Sequence, residues 1–138
     1  MKFQASTDYA IRILRYLHMA QEDKEPLQTA MTIAVATGLP YPFFIKIANQ
    51  LKRGNLVDAI QGRNGGYMIG KPAEEISVYD VFLATEGELQ IHGCLKGEGT
   101  QCQQDGCSLR SFFGDIQEAM IEKMAAQNIR DLGYLNVS

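Results

Sequence analysis

Thr37-Gly38-Leu39-Pro40-Tyr41-Pro42-Phe43-Phe44-Ile45-Lys46-Ile47-Ala48-Asn49-Gln50-Leu51 opens as a turn and runs on into an amphipathic helix. Gly38 stands where a left-handed residue ends a helix, and Leu39 and Pro40 make the turn. Pro42 suits the first helical position, because its missing N–H would have no partner there anyway. Phe44, Ile47, Ala48 and Leu51 then fall on one helical face, and Gly54 stops the run. Upstream, a shorter helix is predicted from about Thr29 or Ala30 to Thr37, with Ile33 and Ala34 inward.

Two short helices joined by a tight glycine-containing turn form a helix-turn-helix. The residues downstream of Gly54 narrow the reading. Leu56-Val57-Asp58-Ala59-Ile60 reads as a strand, Gln61-Gly62-Arg63-Asn64-Gly65-Gly66 as a turn with glycines where positive φ is needed, and Tyr67-Met68-Ile69 as the return strand. A hairpin placed directly after the third helix is a wing. Its tip carries Arg63 and Asn64, small and polar enough to enter a minor groove or touch phosphates. An ordinary surface hairpin with a solvated arginine is the plainer alternative.

Working outward, Ser6 is placed to cap a first helix whose apolar face is Ala10, Ile13, Leu14 and Leu17, and Asp23 to Pro26 breaks it. After the wing, Lys71-Pro72 leads away. Ser77 and Asp80 form a capping box for a fourth helix through about Glu86, with Val78, Val81 and Phe82 inward. Residues 87–107 read as a long loop, of a length that is uncommon unless it has a function. Ser108 is placed to cap a last helix with Leu109, Phe112, Phe113, Ile116, Ala119, Met120, Met124 and Gln127 on one face and Gly133 just beyond its end. A long amphipathic helix outside a small domain calls for a partner, and its counterpart in a second copy is the simplest one.

The expected fold class is mainly α: a winged helix-turn-helix domain with a β-hairpin wing and a long C-terminal dimerisation helix. Residues 1–75 are expected to form the DNA-binding region, 76–107 the connecting helix and cysteine-containing loop, and 108–138 the dimerisation helix and tail. Double-stranded DNA with a palindromic operator and a homodimer are the expected partners, because readers of this kind use two-fold symmetry to span two half-sites.

Composition fits this picture. The chain has 138 residues, 46% of them apolar, and a net charge of −3. That average hides an asymmetry: residues 1–71 hold nine Lys/Arg and five Asp/Glu (+4), and residues 72–138 hold four and eleven (−7). A basic half joined to an acidic half suits one face for phosphates and another for a different purpose. Asp8, Arg12 and Arg15 interrupt any apolar run at the N-terminus, and no stretch of 18 apolar residues exists. The expectation is therefore no membrane span and a cytoplasmic location.

On the third helix, Tyr41, Pro42 and Asn49 are placed either to read bases or to face water, and Lys46, Lys52 and Arg53 to meet phosphates. Gln61, Arg63 and Asn64 extend this set onto the wing. His18 reads as an ordinary helix residue.

Cys94, Cys102 and Cys107 are the only cysteines, separated by seven and four residues. Disulfides are disfavoured in the cytosol, and an odd count leaves one thiol unpaired. Clustered thiolates are the soft ligands that iron–sulfur clusters and zinc sites need. Zinc would need one more ligand, and His92 lies two residues before Cys94. A metal or cluster site, a thiol redox switch and inert cysteines all fit the spacing.

These residues resemble the winged-helix iron–sulfur regulators of the IscR/NsrR family over nearly the whole chain. Ser6-Thr7-Asp8-Tyr9-Ala10-Ile11-Arg12 looks like the family's opening, Ile45-Lys46-Ile47-Ala48-Asn49-Gln50-Leu51 like its recognition helix, and Gly62-Arg63-Asn64-Gly65-Gly66-Tyr67 with Gly70-Lys71-Pro72-Ala73 like its wing. The resemblance implies a dimeric repressor whose cluster controls DNA binding. IscR-like members place a histidine ligand where this chain has Arg110. NsrR-like members use an aspartate in the first helix, supplied by the other subunit, and Asp8 matches it. The resemblance thus implies Cys94, Cys102, Cys107 and Asp8 as ligands, a [4Fe–4S] cluster favoured over [2Fe–2S], and nitric oxide, redox state or iron–sulfur status as the signal. Asp8 also has a plainer role, as a carboxylate suited to a helix N-terminus. The cysteine spacing departs from the even spacing common in the family, and Gln61 stands where an arginine is usual.

An enzyme is not expected. No paired carboxylates, nucleophile with base or phosphate-cradling glycine loop is present, and the wing's Gly65-Gly66 opens no helix. The alternatives are a winged helix regulated by cysteine thiols or zinc without a cluster, and a protein-binding winged helix with structural zinc.

Overall fold

The computed structural model describes residues 5–91 and 108–132. Helix α1 spans Ala5–Glu22, α2 Ala30–Thr37, α3 Tyr41–Arg53, α4 Val78–Glu86 and α5 Ser108–Ala126, with strands β1 (Val57–Ile60) and β2 (Gly66–Ile69) between α3 and α4. This is the mainly helical winged helix-turn-helix expected from the sequence, wing included.

Helix α1 forms because Ala10, Ile13, Leu14 and Leu17 recur at helical spacing, and all four are buried. It begins two residues earlier than a Ser6 cap would place it, at Ala5, so Ser6 lies inside its first turn and does not cap it. Thr29 caps α2, its hydroxyl accepting from the Thr32 N–H at 3.2 Å. Gly38 ends α2 with φ +75°, a conformation costly to any residue bearing a Cβ. Pro40 is the N-cap of α3 and Tyr41 its first residue, which makes Pro42 the second residue and not the first. The second N–H of a helix is unpaired as well, so proline is tolerated equally there.

Phe44, Ile47, Ala48 and Leu51 of α3 are fully buried with Ile13, Leu14, Leu17 and Ile33, which makes α1, α2 and α3 a three-helix core. Each large side chain fully buried in this way contributes about 1.5–3 kcal/mol. The wing leaves this core through Leu56 and Val57, both buried, and pairs antiparallel in the register Val57↔Ile69, Asp58↔Met68, Ala59↔Tyr67 and Ile60↔Gly66. Gly62 takes φ +109° at its tip. Gly65 and Gly66 are needed for closeness instead: a Cβ on Gly65 would collide with the Ile60 carbonyl, and one on Gly66 with the Gln28 carbonyl.

Helix α4 carries the expected capping box, with the Asp80 N–H donating to the Ser77 hydroxyl at 3.0 Å and the Ser77 N–H to the Asp80 carboxylate at 3.0 Å. Val81 and Phe82 are buried and Val78 half-buried. Beyond it, Leu89 packs with Phe82 and Met124 in a small second core.

Helix α5 ends at Ala126, well short of Gly133, which lies outside the described residues. Gln127 has left the helix and does not extend its apolar face. The chain turns because the segment after α5 is captured by the main core and the residues leading into α4. Val78 N–H donates to Gln127 O and Ile129 N–H to Ile76 O, each at 2.9 Å, and Ile129 is fully buried in the main core. Met124 is the one buried residue of α5.

Candidate nucleic-acid interface

The face of α3 opposite its buried stripe is exposed. Tyr41, Pro42, Lys46, Asn49, Lys52 and Arg53 all lie on it. The amphipathic period dictates this division: with Phe44, Ile47, Ala48 and Leu51 buried, the positions farthest from that stripe are turned outward, and Phe43, Ile45 and Gln50 at its edges are half-buried. Gln61, Arg63 and Asn64 are exposed at the wing tip.

Tyr41 of the first group and Gln61 of the second line one cleft. It has a volume of about 270 Å³, lies between the start of α3 and the wing, and is lined also by Ile60 and Tyr67. Partial burial, and secondarily the nearby Tyr41 phenol, hold the Tyr67 hydroxyl above its ordinary pKa, so it is a neutral group at this edge. Tyr67 also stacks edge-on against Phe44 with ring centroids 5.5 Å apart, which ties the wing to the recognition helix from behind.

Sequence reasoning missed what holds the wing. Gln28, between α1 and α2, pairs with β2 as a one-residue antiparallel bridge: its N–H donates to Tyr67 O at 2.9 Å, and Tyr67 N–H donates to Gln28 O at 2.8 Å. The Gln28 side chain accepts from the Tyr16 hydroxyl at 3.0 Å and donates to Glu25 O at 2.7 Å. The available signal was Gly66, since a glycine inside a strand marks close approach of another backbone. Nothing in the sequence named Gln28 as that backbone.

Charge is distributed as the two halves of the sequence suggest. Lys46, Lys52, Arg53 and Arg63 are exposed on α3 and the wing, whereas Asp115, Glu118 and Glu122 are exposed on α5. A cationic surface of this kind neutralises backbone phosphates and releases their counterions.

Asp8 lies in the first turn of α1 with its side chain about half exposed, paired with Arg12 at 3.2 Å. An exposed i,i+4 pair is worth little, about 0.3–0.5 kcal/mol, so this carboxylate is readily released. Cys94, Cys102, Cys107 and His92 lie outside the described residues. Among the described residues, no group of three or more His, Cys, Asp or Glu side chains is arranged to hold a metal. No single helix among them is long and apolar enough to cross a membrane.

The Rrf2 family model, described as an iron-dependent transcriptional regulator, matches residues 3–134. The chain belongs to the Rrf2 family. Its relatives include the protein aau3 of Rhizobium meliloti, 32% identical across 96% of this chain and 84% of that protein. They also include the HTH-type transcriptional repressor NsrR of Streptomyces coelicolor, 30% identical across 96% and 88%. Among solved structures, CymR, the global cysteine regulator of B. subtilis, superposes with a TM-score of 0.74 at 20% identity, covering 96% of this chain and 95% of CymR. T. potens IscR superposes with a TM-score of 0.72 at 19% identity, covering 96% and 85%. At these identities the superpositions establish the winged-helix fold. Membership of Rrf2 makes the chain a DNA-binding transcriptional regulator and not an enzyme.

Proposed function

We propose that this Rrf2 protein is a cytoplasmic repressor that binds a palindromic operator as a homodimer, with its affinity set by an iron–sulfur cluster. Residues 1–75 read DNA through Tyr41, Pro42, Lys46, Asn49, Lys52, Arg53, Gln61, Arg63 and Asn64. Residues 76–107 connect and hold the cluster, and residues 108–138 pair the subunits. The observation that carries the reading of DNA is the exposure of these α3 and wing residues, with Tyr41 and Gln61 lining one cleft between the two elements.

The donor chemistry supports the cluster. Cys94, Cys102 and Cys107 provide three soft thiolates, which suit iron and sulfide. Three thiolates leave one ligand position open in either cluster type, and the resemblance, with Arg110 where the [2Fe–2S] members have histidine and Asp8 where the [4Fe–4S] members have aspartate, favours [4Fe–4S] with an oxygen donor. Asp8 of the partner subunit is that donor in this reading, and its exposure and weak pairing support the assignment. An oxygen ligand is displaced more easily than a thiolate, so nitric oxide is the favoured signal, ahead of redox state or iron–sulfur status. The exposed apolar residues Leu109, Phe112 and Ile116 of α5 support the homodimer.

Anaerobic purification with an absorption spectrum and iron and sulfide analysis tests the reading. A brown protein that loses its chromophore in Cys102→Ala supports it. A colourless protein carrying zinc, or free thiols whose oxidation alone changes DNA affinity, replaces it with the zinc or thiol alternative.

A further inference from the structure

The recognition helix is seated by a set of polar contacts along one edge. Gln50 lies on the edge of α3 that faces α4, next to Lys46 and Arg53 on the helix surface but half-buried where they are exposed. Its side-chain amide donates to the Thr85 carbonyl in the last turn of α4, at 3.4 Å. The other half of the same amide is anomalous: Oε1 is buried and has no hydrogen-bond partner among the described residues. One turn further on, the helices are as close as side chains permit, because a Cβ on Gly54 would stand 3.0 Å from the Ala84 Cβ.

Thr85 is itself tied to α1. Its hydroxyl lies 3.0 Å from the hydroxyl of Thr7 and 2.9 Å from Val81 O, and Thr7, a buried polar residue, donates to the Glu86 carboxylate. Thr85 therefore joins three helices: its carbonyl receives α3, its hydroxyl meets α1, and α4 carries both.

A hydrogen bond of 3.4 Å is a poor stabilising device, because it returns little of what taking a half-buried amide out of water costs. An apolar side chain of similar size would pack there without that penalty. What the amide supplies is direction: it accepts one rotation of α3 about its axis and one distance from α4, where an apolar contact would tolerate several. We propose that Gln50, acting through Thr85 and Thr7, is a positioning residue that fixes the rotation of the recognition helix, and that it serves sequence discrimination at the expense of stability. This rests on the DNA-binding function of the chain and is independent of any cluster.

The test compares wild type, Gln50→Leu, Thr85→Val and Thr85→Ser. The probes are a duplex enriched by the wild-type protein from a randomised pool and a scrambled duplex of the same composition. Melting is monitored in parallel. Gln50→Leu is expected to melt at or above the wild-type temperature while its ratio of enriched to scrambled affinity falls about tenfold, the scale of one misread base pair. Thr85→Val should lose discrimination in the same sense and Thr85→Ser, which restores a hydroxyl, should recover it. A ratio within about twofold of wild type for Gln50→Leu, a difference too small for one lost contact, overturns the proposal. So does a clearly lowered melting temperature, which would make Gln50 an ordinary stabilising contact. Should Gln50→Leu fail to fold, equal discrimination by Thr85→Val and Thr85→Ser overturns it alone.

Discussion

The head formed by α1, α2 and α3 and the helix α5 are built on opposite terms. In the head, α1, α2 and α3 bury Ile13, Leu14, Leu17, Ile33, Phe44, Ile47 and Leu51 almost completely against one another. In α5, Met124 is the one buried residue, and Leu109, Phe112 and Ile116 are 51%, 58% and 37% exposed. The same amphipathic pattern thus has two outcomes. Where three helices converge, each apolar stripe is covered within the chain. In α5, the apolar residues Leu109, Phe112 and Ile116 stay open among the described residues. The head holds itself together, whereas α5 is anchored at its far end by Met124 and the docked Ile129.

The largest expected effect separates these terms directly. Phe44→Ala, at a fully buried site, should lower unfolding free energy by about 3–5 kcal/mol in denaturant titrations. A loss no greater than that at an exposed site would mean that the head is not the stability centre.

Arg63→Ala is expected to reduce operator affinity by about 1–3 kcal/mol in a fluorescence titration while leaving the melting temperature unchanged. Equal affinity for the wild type and the variant would remove the wing tip from the interface. Gly66→Ala, which drives a Cβ into the Gln28 carbonyl, should impair DNA binding as well, by displacing the wing while keeping Arg63.

Phe112→Ser should change unfolding free energy by no more than about 0.5 kcal/mol at dilution, as is usual for exposed sites. Sedimentation should show weakened self-association. A stability loss matching that of Phe44→Ala would show that α5 is covered within its own chain.

The smallest effect concerns how the tail is pinned. The Asn128 side-chain amide, and then Arg130, hold the Asp131 carboxyl below its ordinary range. A depressed folded-state pKa contributes stability above the unfolded value and loses it as pH falls through the folded one. The protection of the Ile129 amide, its exchange relative to the intrinsic rate at each pH, should therefore fall slightly as pH drops below the ordinary carboxylate range, and Asp131→Asn should remove that dependence. An unchanged pH profile in Asp131→Asn would sever the link between this carboxylate and the docked tail.

Where periodicity was strong, local chemistry settled the structure. The stripe Phe44, Ile47, Ala48 and Leu51, the Gly38 turn, the Ser77–Asp80 capping box and the hairpin around Gly62 were all legible, because each rests on spacing or on a residue's own backbone limits. With the stripe fixed, Lys46, Asn49, Lys52 and Arg53 had to be exposed by exclusion. Only the folded chain decided the rest. That Gln28 pins the wing, that Gln50 reaches Thr85, and that α5 stops at Ala126 so that Ile129 can enter the core are contacts between residues far apart in sequence. A polar side chain carries no local sign of its distant partner, and a helix end set by docking overrides the propensity of the residues beyond it.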